Sequence, residues 1–251
     1  MRPPGLPILT YHSLDDSGSV VSVDPALFAR QMAHLHAEGY RTLRLAEAAR
    51  RLRTASPLPD RCVVLTFDDG YRNVYTDAFP VLQRYGFTAT VFLITRYCGG
   101  HNDWPGHASP VGRLPLMDWP QARELQRHGI ELGAHTLTHP DLRRLDPATA
   151  EQEIAQSRAE IEDRLGTAVH TFAYPYGRYD AAVKALTATH FACACSTRLG
   201  RARPGDDPYA LKRLDAYYFR REPLFTDVPV PVLDAYLFAR QRLRDLRSRR
   251  G

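Results

Sequence analysis

Val63-Val64-Leu65-Thr66-Phe67 runs without a charge and ends against Asp68-Asp69-Gly70. A short apolar run of this kind reads as a strand buried on both faces, as in a parallel sheet. Two consecutive acids at its C-terminal end are expensive as mere salt-bridge partners. Like charges this close push one pKa up, which suits a base standing beside a metal ligand. Farther along, His135 and His139 bracket Thr136-Leu137-Thr138. One carboxylate and two imidazoles make three ligands and leave a coordination position for water. The other carboxylate is then available to activate that water. Pro140 biases His139 away from helical geometry, so the pair is expected on a turn.

The strand signal of residues 62–67 recurs at 8–11, 40–43, 87–94, 130–134, 169–173, 191–194 and 210–214. Helical segments alternate with these strands. Asp24-Pro25 opens one that Gly39 stops, and others are expected at 45–52, 73–85, 118–128, 146–165 and 180–188, with a last helix at the C-terminus. Strand and helix in strict alternation mean βα units, and about seven of them suggest a closed or nearly closed α/β barrel in a single domain. His12, Asp68-Asp69, His135/His139 and residues 174–177 each follow the C-terminal end of a strand. In a parallel barrel those ends meet on one rim. The long irregular stretch 96–115 is rich in Gly and Pro and is expected to serve binding. Asn102, Asp103 and Trp104 are its candidates for a substrate-binding lip. Trp119 is either a further platform or a core anchor.

At 251 residues, 44% hydrophobic and 24% charged, the chain is long enough for one large domain with a substantial core. No stretch reaches the roughly 20 apolar residues of a spanning helix. Met1-Arg2-Pro3-Pro4-Gly5-Leu6-Pro7 lacks the apolar centre of a secretory signal, so a cytoplasmic location is expected. Cys62, Cys98, Cys193 and Cys195 do not make a disulfide framework in a chain of this size. Cys193 and Cys195 would share one face of a strand as small core residues.

The net charge is +5, and residues 237–251 alone carry six arginines against one aspartate. The body is therefore near neutral, which argues against nucleic-acid binding. The expected organisation is a domain over 1–236 and a basic tail over 237–251 that ends a helix. That tail is either solvated or touches an anionic membrane surface.

Thr66-Phe67-Asp68-Asp69-Gly70, His135-Thr136-Leu137-Thr138-His139 and Tyr174-Pro175-Tyr176-Gly177 resemble the first three motifs of the polysaccharide deacetylases, the NodB-homology family of carbohydrate esterases. The resemblance spans roughly residues 6 to 215 and implies a distorted (β/α)7 barrel. Ile8-Leu9-Thr10-Tyr11-His12-Ser13 resembles the branch that deacetylates poly-N-acetylglucosamine. The resemblance implies that Asp69, His135 and His139 hold a divalent metal, zinc first among the transition metals. It implies that Asp68 is the base, that the backbone N–H of Tyr176 stabilises the oxyanion, and that His12 protonates the departing amine. Pro175 and Tyr176 would also border the substrate. N-acetylated sugars or glycans would lose acetate.

Two departures from the family pattern stand out. Ala173 occupies the position where many relatives carry the arginine that pairs with the catalytic Asp, and Arg213 is the candidate to replace it. No histidine follows His190, so the usual C-terminal acid is missing and His12 takes its place. A sugar O-acetyl esterase, another amide hydrolase, and a carbohydrate-binding protein without catalysis are the alternatives. The intact acids and histidines speak against the last.

Overall fold

The computed structural model describes residues 5–106, 111–220 and 230–248. The strands are β1 (Ile8–Tyr11), β2 (Ser13–Leu14), β3 (Ser22–Val23), β4 (Arg41–Leu43), β5 (Cys62–Phe67), β6 (Thr90–Leu93), β7 (Glu131–Ala134), β8 (Thr171–Ala173), β9 (Cys193–Leu199) and β10 (Leu211–Asp215). The helices are α1 (Pro25–Ala37), α2 (Leu45–Arg53), α3 (Phe79–Arg84), α4 (Trp119–Arg127), α5 (Pro147–Leu165), α6 (Ala181–His190) and α7 (Val230–Ser248).

Seven parallel strands close a barrel in the order β1-β10-β9-β8-β7-β6-β5, and β5 returns to β1 through Ile8↔Val64 to Tyr11↔Phe67. The closure is irregular. β4 pairs with the first half of β5 and β6 with the second half, so the two share one edge of the same strand. This is the distorted (β/α)7 barrel expected from the motifs.

The two-residue period of a strand decides what fills the barrel. Ile8, Val64, Phe92, Ala173, Cys193, Cys195 and Leu211 form one buried cluster with Leu45, Ala48, Ala49 and Leu52 of α2. This is the barrel interior, which α2 closes from below. The alternate residues Leu9, Val63, Leu65, Phe67, Val91, Leu93 and Phe172 belong to a second cluster shared with the surrounding helices. The four cysteines are free, and Cys193 and Cys195 are core residues as expected.

Sequence signals placed most helix ends correctly. Asp24, Asp118, Asp146 and Asp180 each accept a backbone N–H in the first turn of their helices. Gly166 ends α5 in the left-handed conformation at φ 70°. The segment expected as one helix over 73–85 differs. Its first turn, Val74–Ala78, is a π-helix in which Phe79 N–H donates to Val74 O. Pro80 has no N–H and crowds the carbonyl four residues earlier, so the chain widens there before α3 begins.

The stretch after His12 also differs. It folds into the small parallel pair β2–β3 (Ser13↔Ser22, Leu14↔Val23), which the sequence signals did not mark. The first four residues, 107–110 of the long loop and 249–251 of the basic tail lie outside the described residues. No described helix is long and apolar enough to cross a membrane.

Candidate active site

The alternation that packs the barrel also aims its polar residues. Counting by twos from the interior residues Ile8, Val64 and Leu211 reaches His12, Asp68 and Arg213 in turn. All three line or adjoin one cavity of about 240 Å³ at the C-terminal ends of the strands. Asp69, Tyr71, Trp104, His135, His139, Tyr174, Tyr176 and Thr197 complete most of its wall.

Asp69, His135 and His139 are all buried, and their ligand atoms lie within 4.8 Å of one another. Asp69 Oδ1 is 3.3 Å from His135 Nε2 and 3.5 Å from His139 Nε2. The two Nε2 atoms are 3.2 Å apart. His135 Nδ1 lies 2.6 Å from the Ala173 carbonyl and must donate to it, which leaves the Nε2 lone pair facing Asp69. Asp69 Oδ1 is buried without a hydrogen-bond partner. An orphaned carboxylate oxygen facing two imidazole nitrogens is the donor set and the deficit that a tetrahedral divalent metal satisfies. These three residues fit the metal that the motifs imply.

The backbone is bent to bring them there. Among the described residues six non-glycines have φ between 49° and 69°, and four of them belong to this site: Asp69, Thr136, His139 and Tyr176. Left-handed backbone at non-glycine positions costs free energy, and its concentration here marks a site held in place by its surroundings. His139 stands on a turn, as Pro140 predicts. Its N–H donates to Thr136 Oγ1 at 2.9 Å. Its ring is flanked by Trp104 and Tyr176, with centroids at 4.7 Å and 4.5 Å. Gly177 follows Tyr176 at φ 65°, and a Cβ there would collide with Thr197, so this turn requires glycine.

Asp68 is the most constrained group of the site. Arg213 Nη1 and Nη2 donate to its two carboxylate oxygens at 2.7 Å each, a bidentate pair buried on both sides. Arg213 Nε donates to Ser196 O at 3.0 Å, and Nη1 also reaches Thr66 Oγ1 at 3.3 Å. His12 Nε2 stands 3.8 Å from Asp68 Oδ2 on a partly exposed ring.

The raised carboxyl expected from two adjacent acids is corrected here, because both are held low. Burial pushes Asp68 up, but the Arg213 charge and hydrogen bonds more than offset it. Burial likewise raises Asp69, and the facing imidazole of His135, followed by that of His139, reverses the sign. Successive residues point to opposite sides of the chain, so each acid meets its own basic partners, Arg213 for Asp68 and the two imidazoles for Asp69. Burial pushes His139 down to about 3, which keeps it neutral and fit to ligate.

The loop residues fall out differently from expectation. Trp104 is buried in the cavity wall, where it packs on His139 rather than standing open as a lip. Asn102 is fully buried, and its amide ties the loop together while Nδ2 also reaches the Tyr71 hydroxyl of the cavity wall at 3.4 Å. Oδ1 accepts from Leu114 N at 2.7 Å and Nδ2 donates to Gly112 O at 2.9 Å. Asp103 is exposed and pairs with Arg113 at 3.1 Å. Neither lines the cavity. Pro175 is buried behind Tyr176, and Trp119 starts α4 with the Arg164 guanidinium over its ring, away from the cavity. The opposite wall comes instead from Val20 and Val21, beside β3.

Glu153 was missed, although it holds the histidine turn. From α5 its Oε2 accepts the N–H groups of Leu137 and Thr138 at 2.9 Å each, and Oε1 accepts Thr138 Oγ1 at 2.7 Å. A signal existed. Ala150, Ile154, Ser157, Ile161 and Leu165 form the buried stripe of α5, and Glu153 shares that buried side. A carboxylate on a buried stripe needs partners. Glu153→Ala frees the buried N–H of Leu137 and the partly buried N–H of Thr138 and is expected to weaken divalent-metal binding about 10–100-fold. Competition titration of the metal-free protein with a chromophoric chelator measures this, and an unchanged affinity would refute the role.

The polysaccharide deacetylase family model matches residues 55–192, more than half of the chain. The Bacillus subtilis (strain 168) protein YxkH is 34% identical over 85% of this chain and 72% of its own length. Poly-beta-1,6-N-acetyl-D-glucosamine N-deacetylase of Escherichia coli (strain K12) is 32% identical over 53% of this chain, which spans only 20% of that protein. Among solved structures, the Streptococcus pyogenes deacetylase PplD in complex with acetate superposes with a TM-score of 0.75 at 28% identity, covering 84% of this chain and 92% of that one. With motifs, barrel and donor set in agreement, the chain belongs to the polysaccharide deacetylase family of hydrolases.

Proposed function

We propose that the protein is a metal-dependent N-deacetylase that releases acetate from N-acetylglucosamine-type glycans. One observation carries the reading: Asp69, His135 and His139 converge on one point beside Asp68, which Arg213 holds ionised. A divalent metal bound by those three residues would polarise the acetyl carbonyl and lower the pKa of water.

The chain's own groups supply the rest. Asp68, clamped through both oxygens by Arg213, keeps a free lone pair on each and takes the proton of the attacking water. The N–H of Tyr176, on its left-handed turn, faces the developing oxyanion. His12 gives the nitrogen its proton as the C–N bond breaks. The products are acetate and a free amine. Trp104, Tyr176 and the Val20–Val21 wall border the sugar with aromatic and apolar surface.

One of these features favours amide over ester. An amine must be protonated to leave, whereas an alkoxide departs more easily, and His12, which lines the cavity beside Asp68, is the group assigned to deliver that proton. The E. coli relative is named for a β-1,6-linked N-acetylglucosamine polymer, which makes such oligomers the first substrate to assay. Acetate release from them is expected to exceed release from O-acetylated sugars, and His12→Ala is expected to slow the first by about 10²-fold. Faster release from O-acetylated sugars, insensitive to His12→Ala, would replace this reading with the esterase one.

A further inference from the structure

Helix α7 turns its inner face to the barrel. Leu233 and Leu237 are buried, Gln241 Oε1 accepts Leu199 N–H at 2.8 Å, and Arg244 Nη1 donates to Thr197 O at 3.1 Å. Its outer face is the anomaly. Seven large apolar side chains are exposed among the described residues, and four of them stand on α7: Val232 at 58%, Phe238 at 61%, Leu243 at 50% and Leu246 at 56%. Ala235 and Ala239 are exposed between them. Spacings of three and four residues set all six on one side of the helix. A contiguous apolar face turned to water is costly and marks a surface that something covers.

Charge selects what covers it. Arg242 is exposed on this face with its guanidinium over the Phe238 ring at 5.1 Å, and Arg240 is exposed on the flank, over the Tyr218 and Tyr236 rings. The two acids of the helix are engaged elsewhere: Asp234 pairs with Arg201 at 3.1 Å, and Asp245 accepts from Gln241 Nε2 at 2.7 Å. Residues 237–251 together hold six arginines and one aspartate. A second copy docked face to face would set arginines against arginines. Negatively charged lipid headgroups over an acyl layer match both components, the apolar stripe and its basic border.

We infer that α7 is an interfacial helix that docks this protein on an anionic lipid surface. The reading does not depend on the reaction at the cavity. It does carry a consequence for access, because Thr197, whose carbonyl Arg244 holds, lines the cavity wall. The inner face of α7 touches that wall, so docking by the outer face holds the cavity one helix diameter, roughly 10 Å, from the bilayer.

Co-sedimentation of the full chain with vesicles tests this, using phosphatidylcholine alone and phosphatidylcholine with one-third phosphatidylglycerol. Binding is expected to be at least about tenfold stronger to the anionic vesicles and to weaken as salt is raised. Phe238→Ser/Leu243→Ser/Leu246→Ser should lose at least about tenfold of that binding with an unchanged unfolding midpoint, since all three side chains face solvent. Arg242→Gln, which keeps the apolar face, should lose about fivefold. Equal binding to both vesicle types, or no binding to either, would overturn the inference. So would a wild-type dimer dissolved by the triple substitution, because a second copy would then cover the face.

Discussion

Asp68→Asn is expected to lower kcat by about 10²–10⁴-fold while the protein keeps its full complement of divalent metal. The substitution is nearly isosteric. It removes the negative charge and the proton-accepting capacity of one oxygen, and leaves the barrel interior filled. The metal should be unaffected, because the three ligand atoms come from Asp69, His135 and His139, while the Asp68 carboxylate is taken up by Arg213. Elemental analysis of the purified variant and acetate release under saturating substrate measure the two halves separately. Loss of the metal would make Asp68 a ligand, and retained turnover would remove it from the reaction.

Arg213→Met is expected to do damage of two kinds. It leaves a buried carboxylate without its cation, a change that costs about 3–5 kcal/mol in comparable buried pairs. It also moves the acid limb of the pH profile. In the wild type Asp68 is held below the ordinary carboxylate range, so the base stays ionised throughout mildly acidic solution. Without Arg213 burial loses its main counterweight and raises the carboxyl. The base is active only when ionised, so kcat/KM of the variant should fall as pH drops from about 8 to about 5, where the wild type stays flat with respect to this group. Arg213→Lys, which keeps a cation but not the fork, should recover the acid limb in part. Superimposable profiles for the wild type and Arg213→Met would refute the pairing as the cause of the low pKa.

The barrel was legible because its signals are local and repeat. Apolar runs such as 62–67 mark buried strands, and aspartates at N-caps and glycines at C-termini punctuate the helices between them. The metal residues were legible for a related reason. Polar residues at the ends of apolar strands have no structural reason to be there, and the barrel gathers strand ends on one rim.

Arg213 lay within reach as well. It sits two residues beyond Leu211 on the inward side of its strand, so an arginine at that register enters the barrel and needs a buried anion. What could not be read is long-range and non-periodic. Asn102 looked free because nothing in its neighbourhood announces that the loop closes on Gly112 and Leu114. The adjacent-acid argument gave the wrong sign, because it counted the two charges and not the cations each would meet from strands far away in sequence. The outer face of α7 hid behind its arginine count, because which side of the helix meets the barrel is set by Leu233 and Leu237 contacting residues of distant strands.

The central claim is that Asp69, His135 and His139 together bind the divalent metal on which hydrolysis depends. Acetate release from N-acetylglucosamine oligomers by chelator-stripped protein, before and after zinc is returned, tests it most directly. The account predicts an inactive stripped protein whose rate is restored by a single equivalent of zinc, with no restoration in His139→Ala. Full activity in the stripped protein, or rescue of His139→Ala at the same stoichiometry, would contradict it.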